Sequence, residues 1–446
     1  MKKRLMPLFF AAVVMLSGCS AGGSVENLLT PPKLTAEQNE IYQALINSVG
    51  TNVKLKYPRS GDYRSAFVLE NIDDEPDNEA MVFYESQSAQ SGESLLRLKV
   101  LDKYDGEWRS VYDLACVGSE VDSVSFANLG SSDSVDIIVR YSMLNQTEKS
   151  FSVLNYRDGV PVELLASSYS CLEVFDLNSD GEDELFAVVT DKANQVSNAI
   201  LYSNSENGFE RLSEITLGGG AVDYVSVVTG QISENTNAVF LDYSRGSGQY
   251  GTDVVYCYGS RMVNPDSSGT ENPSTQISRF TNDYLSEIHC FDIDNDGYVE
   301  IPGTAPLPGY ETLTRPEQLC AVTWYTVIDD NITPEHYGYY SSKYNYALLF
   351  PNRWRGVVSA VVNSAEKEVV FIAYNSAVGL QVDETTELMR IRAVDKSDRD
   401  AVVAAKDMLV LGENDDMMFF YSENVSARTG KLALTESELE NCFIIL

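Results

Sequence analysis

The sequence predicts a mainly β protein, in which a β-propeller of five to seven blades, each of about 50 to 60 residues, is followed by a small α+β C-terminal domain. From about residue 51 to 330, short runs rich in β-branched and aromatic residues alternate with turns of Gly, Asn, Asp and Ser. One acidic motif recurs in this region, in copies that start at residues 71, 128, 176, 230 and 292. The copies are 57, 48, 54 and 62 residues apart, close to the length of a four-stranded blade. The phased repeat therefore favours a propeller over a sandwich or a barrel.

Composition limits the classes of partner. The 446 residues are 44% hydrophobic, which is typical of a folded protein rather than a disordered acidic chain. The 66 acidic residues outnumber the 32 basic ones and give a net charge of −34. Nucleic acid and anionic lipid both require a positive surface, so this charge argues against either as a main partner. It suits a surface that meets cations.

The N-terminus has the features of a secretory signal. Basic residues at Lys2–Arg4 precede an apolar stretch, Leu5–Met15, that is too short to span a membrane. The stretch leads into Leu-Ser-Gly-Cys at 16–19, which resembles the lipobox of bacterial lipoproteins. The resemblance implies that residues 1–19 are a lipoprotein signal peptide and that Cys19 carries the lipid. We therefore expect an extracytoplasmic protein, anchored to a membrane at the bacterial cell surface.

A tether and a helix precede the repeats. Residues 20–34 are mostly small and polar and contain two prolines, so we expect a flexible tether. The stretch Thr35–Ser48 predicts a helix, with Thr35 and Gln38 as a capping box at its start. This helix and the propeller make up the predicted first domain, residues 35–330.

Three copies of the acidic motif place oxygen-bearing side chains at positions 1, 3, 5 and 9. They read NIDDEPDNE at 71–79, DLNSDGEDE at 176–184 and DIDNDGYVE at 292–300. Carboxylates packed this densely repel one another strongly unless a cation is present. Alternate spacing turns positions 1, 3 and 5 inward, and Gly at position 6 permits a sharp bend. Carboxylate and carbonyl oxygens, without His or Cys, are the ligands that calcium prefers.

The predicted calcium ligands come from all three loops, with the carbonyl of position 7 included. They are Asn71, Asp73, Glu75, Asp77 and Glu79; Asp176, Asn178, Asp180, Glu182 and Glu184; and Asp292, Asp294, Asp296, Tyr298 and Glu300. An EF-hand is disfavoured, because position 12 holds Val82, Ala187 and Gly303 instead of Glu and the flanks are β-like. Acidic β-turns without metal are the alternative interpretation.

The stretches DLNSDGEDE and DIDNDGYVE, with their apolar flanks, resemble the calcium loops of FG-GAP/VCBS-type repeats in integrin-like β-propellers. The resemblance covers about residues 51–330 and implies a propeller with calcium loops between adjacent strands. Pro76 departs from it, since this residue replaces the loop Gly. The copies NLGSSDSVD at 128–136 and GQISENTNA at 230–238 have lost most ligands, so we expect metal-free structural turns there.

The C-terminal region, residues 331–446, loses the repeat. Strand-like runs such as YNYALLF, EVVFIAYN and ELMRIRAV mix with two helical stretches, Asp398–Met408 and Thr435–Phe443. The second helix has a capping box of Thr435 and Glu438. We interpret this region as a smaller α+β domain.

The chain contains no catalytic motif: no nucleophile elbow, no P-loop, no HExxH and no GxGxxG that opens a helix. His289 and Cys290 are adjacent, but neighbouring strand residues point to opposite faces, which argues against a catalytic pair. The six cysteines after Cys19 are widely spaced, so we expect no disulfide framework. The tyrosine-rich stretch 337–346 is interpreted as packing rather than as a platform for sugars or a protein partner.

The predicted function is that of a non-catalytic lipoprotein with a calcium-stabilised propeller that binds a protein or a cell-wall polysaccharide. The ligand class rests on the family resemblance alone. One alternative is a polysaccharide-active enzyme with carboxylates in the funnel of the propeller, and another is a purely structural surface protein. Residues 37–70 with 305–330 are candidates for a sixth blade that closes the ring. The sequence leaves the oligomeric state open.

Overall fold

The computed structural model is mainly β, as the sequence predicts. It describes residues 34–446 except 74, 87–94, 131–134, 144–148, 158–159, 195, 206–207, 219, 265–287, 329–330, 406–407 and 425–429. The predicted signal peptide, Cys19 and nearly all of the tether lie outside the described residues. Within the described part of the chain, no helix combines the length and the apolar character needed to cross a membrane.

The described residues form six antiparallel sheets, which follow one another along the chain. Sheet 1 consists of β1 Val53–Leu55, β2 Phe67–Glu70, β3 Glu79–Ser86, β4 Leu96–Tyr104 and β5 Glu107–Ala115. Sheet 2 consists of β6 Glu120–Ala127, β7 Asp136–Ser142, β8 Lys149–Arg157 and β9 Val160–Tyr169. Sheet 3 consists of β10 Cys171–Phe175, β11 Glu184–Asp191, β12 Val196–Ser205 and β13 Gly208–Thr216. In sheets 2 and 3 the strands pair in chain order.

The second half of the chain continues the series. Sheet 4 consists of β14 Asp223–Ser233, β15 Thr236–Gly246, β16 Gln249–Tyr258 and β17 Arg261–Val263. Sheet 5 consists of β18 Ile301–Pro306, β19 Cys320–Ile328, β20 Asn331–Ser341, β21 Tyr346–Leu349 and β27 Phe443–Ile445. Sheet 6 consists of β22 Val358–Asn363, β23 Glu368–Ala373, β24 Glu387–Asp395, β25 Leu409–Glu413 and β26 Met417–Glu423. In sheet 6, β26 lies between β24 and β25.

In the described part of the chain, three α-helices accompany the sheets: α1 Ala36–Val49, α2 Arg399–Ala404 and α3 Glu436–Cys442. Both predicted capping boxes are confirmed. At the first, the main-chain N–H of Gln38 donates to Thr35 Oγ1 and the N–H of Thr35 donates to Gln38 Oε1, both at 3.1 Å. The box of Thr435 and Glu438 opens α3 in the same way.

Each pair of consecutive sheets shares a hydrophobic cluster, from sheets 1 and 2 through to sheets 5 and 6. Strands in the middle of a sheet therefore bury both faces. In β7, Ile137 and Val139 pack with sheet 1, whereas Ile138 packs with sheet 3. Burial on both sides explains why these strands read as continuous apolar runs in the sequence.

Helices cover the outer faces of the first and last sheets. Ile41 and Leu45 of α1 pack against sheet 1, and α2 with Ala405 packs against sheet 6. No hydrophobic cluster of the described residues joins sheet 6 to sheet 1. The predicted closure through early and late strands is wrong, because β1 and β2 pair with β3 while β18 and β19 pair within sheet 5.

Sheet 5 contains strands from both predicted domains. β19 pairs with β20 across residue 330, and β27 returns to pair with β21. Tyr339 and Tyr346 are buried in the cluster between sheets 5 and 6, with Trp354. The interpretation of this tyrosine-rich stretch as packing is confirmed.

Candidate metal centre

The acidic motif occupies the same place in five sheets. Four copies connect the first two paired strands of sheets 1 to 4. The fifth copy precedes β18, and Phe291 and Glu300 pair across its ends. Sheet 6 has a short turn at 364–367 in the corresponding place. The repeat in the sequence is therefore a repeat of sheets, and sheet 6 is the sheet without the motif.

The carboxylate at position 9 is buried in each of the four copies that have one. Each accepts a hydrogen bond from the main-chain N–H of position 2, seven residues earlier. The N···O distances are 2.8 Å for Ile72–Glu79, 3.3 Å for Leu129–Asp136, 3.0 Å for Leu177–Glu184 and 2.8 Å for Ile293–Glu300. The position-2 side chains are also buried. One apolar contact and one buried hydrogen bond thus hold the two ends of each loop together.

Loops 176–184 and 292–300 have the same internal hydrogen bonds. The carboxylate at position 1, Asp176 or Asp292, accepts from the N–H groups of positions 5 and 6 at 2.8 to 3.1 Å. The side chain at position 3 accepts from the N–H of position 5, and that at position 5 accepts from the N–H of position 7, at 2.8 to 3.2 Å. Positions 1, 3 and 5 therefore turn inward, as their spacing predicts.

Two residues of each loop have a left-handed backbone. Gly181 and Gly297 at position 6 have φ values of 95° and 96°, which favour glycine and explain its place in the motif. Ser179 and Asn295 at position 4 have φ values of 60° and 63°. The sequence analysis missed position 4, because a single Ser or Asn in a turn does not signal this conformation.

Among the described residues, two groups of carboxylates come close enough to hold a metal ion, since their nearest oxygens all lie within 4.8 Å of one another. The groups are Asp176, Asp180 and Glu184, and Asp292, Asp294 and Glu300. The predicted ligand Asp296 is not a member of the second group. Asn178, Glu182 and Tyr298 are predicted to contribute an amide or a main-chain carbonyl oxygen, so these groups of carboxylates do not test them.

Asn178 places an amide among the carboxylates of its loop. Its Nδ2 donates to Asp180 Oδ2 at 2.9 Å and to Glu184 Oε1 at 2.5 Å. The partial positive charge of the amide thus stands between two acidic side chains. An Asn side chain also carries an oxygen, so rotation of the Asn178 amide presents this oxygen to a cation as a ligand.

Among the carboxylates of the two groups, Glu300 has the fewest partners that could offset its charge. Its Oε1 is buried and has no hydrogen-bond partner in the described part of the chain. Desolvation, reinforced by Asp294, Asp292 and Asp296, raises the pKa of Glu300 to about 8. Desolvation likewise raises the pKa of Glu184 to about 7. A buried carboxylate in this state requires either a proton or a cation.

Loop 71–79 departs from the shared pattern. Asn71 at position 1 donates its Nδ2 to Glu75 O at 2.5 Å, where the other loops have an accepting carboxylate. Pro76 at position 6 has no main-chain N–H and so cannot donate the hydrogen bond that Gly181 and Gly297 donate to position 1. Asp77 is exposed, and the carboxylates of this loop form no metal-sized group among the described residues. Glu79 keeps its place, with Oε1 buried and unpartnered among described residues and a pKa raised to about 7 by desolvation.

The two degenerate copies are built differently. In sheet 2, Asp136 accepts from Asn155 Nδ2 at 2.8 Å and from Asn204 Nδ2 at 3.0 and 3.2 Å. All three side chains are fully buried. In sheet 4, Ala238 replaces the carboxylate at position 9. Side-chain amides thus compensate the buried carboxylate of sheet 2, and the absence of metal from these two copies stays a prediction.

Two side chains from outside the loops 176–184 and 292–300 contact them, and neither contact was predicted. His336 of β20 places Nε2 2.9 Å from Asp294 Oδ2. Asn237 at the start of β15 donates Nδ2 to Asp176 O at 2.6 Å. They lie 42 and 61 residues from their partners. No local pattern reveals contacts across that distance.

His289 and Cys290 both contact one carboxylate, although the sequence analysis placed them on opposite faces. His289 Nδ1 lies 3.5 Å from Asp242 Oδ2, and Cys290 Sγ lies 3.2 Å from Asp242 Oδ1. The residues belong to an irregular segment, so strand alternation does not apply. Burial raises the pKa of the Cys290 thiol well above its usual value, which opposes a nucleophilic thiolate. All six cysteines after Cys19 are free thiols.

Comparisons with known proteins leave the family open. No protein-family model and no curated protein matches the sequence. Among solved structures, a rhamnogalacturonan lyase of Bacillus licheniformis matches at 9% identity and a TM-score of 0.30, over 75% of this chain and 77% of the lyase. A protein from Lactobacillus plantarum matches at 12% and 0.28, over 74% and 86% of the two chains. A β-1,3-galactosidase matches at 8% and 0.25, over 63% and 96%. Similarities of this size support no inference about activity.

Proposed function

We propose that this chain is a non-catalytic, extracytoplasmic lipoprotein whose propeller-like series of sheets is stabilised by calcium and binds a protein or a cell-wall polysaccharide. The calcium sites are the loops 176–184 and 292–300. The lipid on Cys19 anchors the protein to the membrane at the bacterial cell surface. Nucleic acid is not a partner, since the net charge is −34.

One observation supports the metal sites above all others. Two segments 116 residues apart have the same hydrogen-bond pattern and each brings three carboxylates within 4.8 Å. In the second, Glu300 Oε1 is buried without a partner among the described residues. A cation in the loop coordinates this oxygen, and it also relieves the repulsion among the three carboxylates.

The donor set fits calcium. It consists of carboxylate, amide and main-chain oxygens, with no sulfur ligand, and hard cations prefer oxygen. Extracellular calcium sites have dissociation constants of about 10⁻⁴ to 10⁻³ M, so even a weak site is filled outside the cell. When bound, calcium neutralises the loops and stabilises the sheets that they connect.

The six sheets are proposed to be the blades of a propeller-like array. Consecutive antiparallel sheets that each bury one face against the next support this arrangement. The helices on the outer faces of sheets 1 and 6 favour an open series, capped at both ends as repeat proteins are.

Thermal unfolding of the chain without residues 1–19, first in EDTA and then in millimolar calcium, tests the metal sites. We expect the melting temperature to rise with calcium in the wild type. The rise should be absent in a variant that combines Asp180→Ala with Asp296→Ala. Equal melting temperatures of the wild type in both conditions would exclude a stabilising role for calcium.

Membrane fractionation of cells tests the anchor separately. The wild type should sediment with membranes, whereas Cys19→Ala should remain in the soluble extracytoplasmic fraction. Sedimentation of Cys19→Ala with the membranes would contradict lipidation at this residue.

The alternative, a polysaccharide-active enzyme, has one observation in its favour. Glu173 of β10 is half-buried, and desolvation raises its pKa against the opposing effect of Arg140. A carboxyl group with a raised pKa suits a general acid. Release of sugar ends from cell-wall polysaccharides would support this function if Glu173→Gln abolishes it and the exposed control Glu210→Gln does not. Binding of a polysaccharide without release of sugar ends favours the binding protein.

A further inference from the structure

The turn at 230–238 lies between the two proposed calcium loops and contacts both. On one side, Asn237 Nδ2 donates to Asp176 O at 2.6 Å, and Asn237 N donates to Ser179 Oγ at 3.3 Å. Ser179 is the residue with a left-handed backbone at position 4 of its loop. Asn237 therefore holds the first half of loop 176–184 in shape.

On the other side, the same turn pairs with loop 292–300. The N–H of Val299 donates to Gln231 O at 3.0 Å, and Gln231 and Tyr298 form a parallel bridge. A Cβ atom on Gly230 would lie 2.5 Å from Val299 Cγ2, so this close approach requires glycine. The end of the second loop is thus fixed to the start of the turn.

The two halves of the turn are themselves joined. Gln231 Nε2 donates to Asn237 Oδ1 at 3.4 Å. A continuous chain of hydrogen bonds therefore runs from Asp176 through Asn237 and Gln231 to Val299. It connects the two loops through a copy of the motif that has lost its own ligands.

The contact between a degenerate copy and the next loop occurs twice in the molecule. In sheet 2, Leu129 forms a parallel bridge with Asp183, and Gly130 N donates to Asp183 O at 2.6 Å. Leu129 and Gln231 both stand at position 2 of their copies. The degenerate copies thus share a way of docking onto the following calcium loop.

We propose that Asn237 is a positioning residue that couples the two calcium sites, so that calcium in loop 176–184 strengthens binding in loop 292–300. This inference rests on the proposed calcium sites. Calcium orders the loop that it binds, the ordered loop fixes Asn237, and the hydrogen-bonded turn then holds Val299 beside the second site. Coupling between sites in proteins commonly changes affinity by about fivefold or more.

The test uses the full chain without residues 1–19, with terbium as the probe and calcium as its competitor. Tyr298 is the only aromatic residue in either loop. Excitation of tyrosine produces terbium emission, and Tyr298→Phe removes part of it. That part reports binding of terbium at loop 292–300. Asp176→Asn disables the other loop while keeping a hydrogen-bond acceptor. We expect it to weaken binding at loop 292–300 by about fivefold or more.

Asn237→Ala should abolish this dependence. In its background, Asp176→Asn should change the affinity of loop 292–300 by less than about twofold, whereas the exposed control Asn235→Ala, in the same turn, should leave the fivefold effect intact. A merely structural role of Asn237 would lower affinity without removing the dependence.

Each other outcome has a definite meaning. If both loops bind terbium but Asp176→Asn leaves loop 292–300 unchanged, coupling is overturned while the calcium sites stand. If the dependence survives in Asn237→Ala, the route through Asn237 is overturned. If neither loop binds, the proposed calcium sites fail and this inference fails with them.

Discussion

Sheets 2 and 5 each have a buried carboxylate at the end of the acidic motif, Asp136 in one and Glu300 in the other. Asp136 accepts hydrogen bonds from the amides of Asn155 and Asn204. Glu300 Oε1 has no partner among the described residues and lies in a group with two further carboxylates. Neutral amides thus compensate the first carboxylate, whereas the second needs a proton or a cation.

The motif alone therefore does not decide whether a loop needs metal. The main-chain hydrogen bond from position 2 to position 9 is common to both copies. The decisive residue in sheet 2 comes from elsewhere, since Asn204 is 68 residues from Asp136. Partners from neighbouring sheets therefore determine the chemistry of each copy.

The pH dependence of the free energy of unfolding should distinguish most strongly between the copies that end in Glu79, Glu184 or Glu300 and the copy that ends in Asp136. Burial raises the pKa of Glu79 and Glu184 from 4.5 to about 7 and that of Glu300 from 4.5 to about 8. The folded state thus holds these protons more tightly than the unfolded state. Their contribution to stability is complete below the unfolded pKa and is lost as the pH rises through the folded values.

Urea denaturation in EDTA should therefore show a free energy of unfolding that falls between about pH 5 and pH 8. The slope is at most about 1.4 kcal/mol per pH unit for each group. Calcium should flatten it, because the ion binds the ionised carboxylates. A free energy of unfolding that rises over this range in EDTA would contradict the account.

Asn204→Leu should destabilise the copy of the motif in sheet 2. The substitution keeps the volume but removes the amide from buried Asp136, so we expect a loss of about 3 kcal/mol in the free energy of unfolding. The loss should be equal in calcium and in EDTA. Asn198→Leu, on the same strand but half-exposed, is the control and should cost less than about 1 kcal/mol. A loss at Asn204 confined to one of the two conditions would show that this copy depends on metal.

Glu300→Gln should have opposite effects with and without calcium. In EDTA the variant should be as stable as the wild type or more stable, because the buried side chain no longer has to take up a proton or carry a charge. In millimolar calcium it should lack the contribution of its site, about 1 to 2 kcal/mol. Chemical denaturation in both conditions measures this, with the exposed Glu311→Gln as control. Equal calcium responses of Glu300→Gln and the wild type would count against the site.

The smallest effect is expected from repairing loop 71–79. Asn71→Asp together with Pro76→Gly restores the acceptor of position 1 and the N–H of position 6. The calcium-dependent part of the free energy of unfolding should increase by about 1 kcal/mol. Taking the difference between calcium and EDTA cancels the entropic effect of losing proline. An unchanged difference would mean that these two positions do not limit metal binding in this loop.

Part of this structure could be predicted from the sequence. The capping boxes, the strand-like runs and the inward spacing of positions 1, 3 and 5 depend on nearby residues, and local patterns reveal them. Sheet 6 was missed as a repeat, because its first turn at 364–367 lacks the acidic motif. The contacts of His336 and Asn237 join distant segments, which a single sequence cannot bring together.

Calorimetric titration counts the calcium ions that the two loops bind. The wild-type chain without residues 1–19 is compared with a variant that combines Asp176→Asn and Asp292→Asn, which keeps one of the two accepting oxygens of each side chain and removes one charge from each group. We expect the wild type to bind two more calcium ions per chain than the variant. Equal numbers of bound ions in the two proteins would contradict the assignment of both loops as calcium sites.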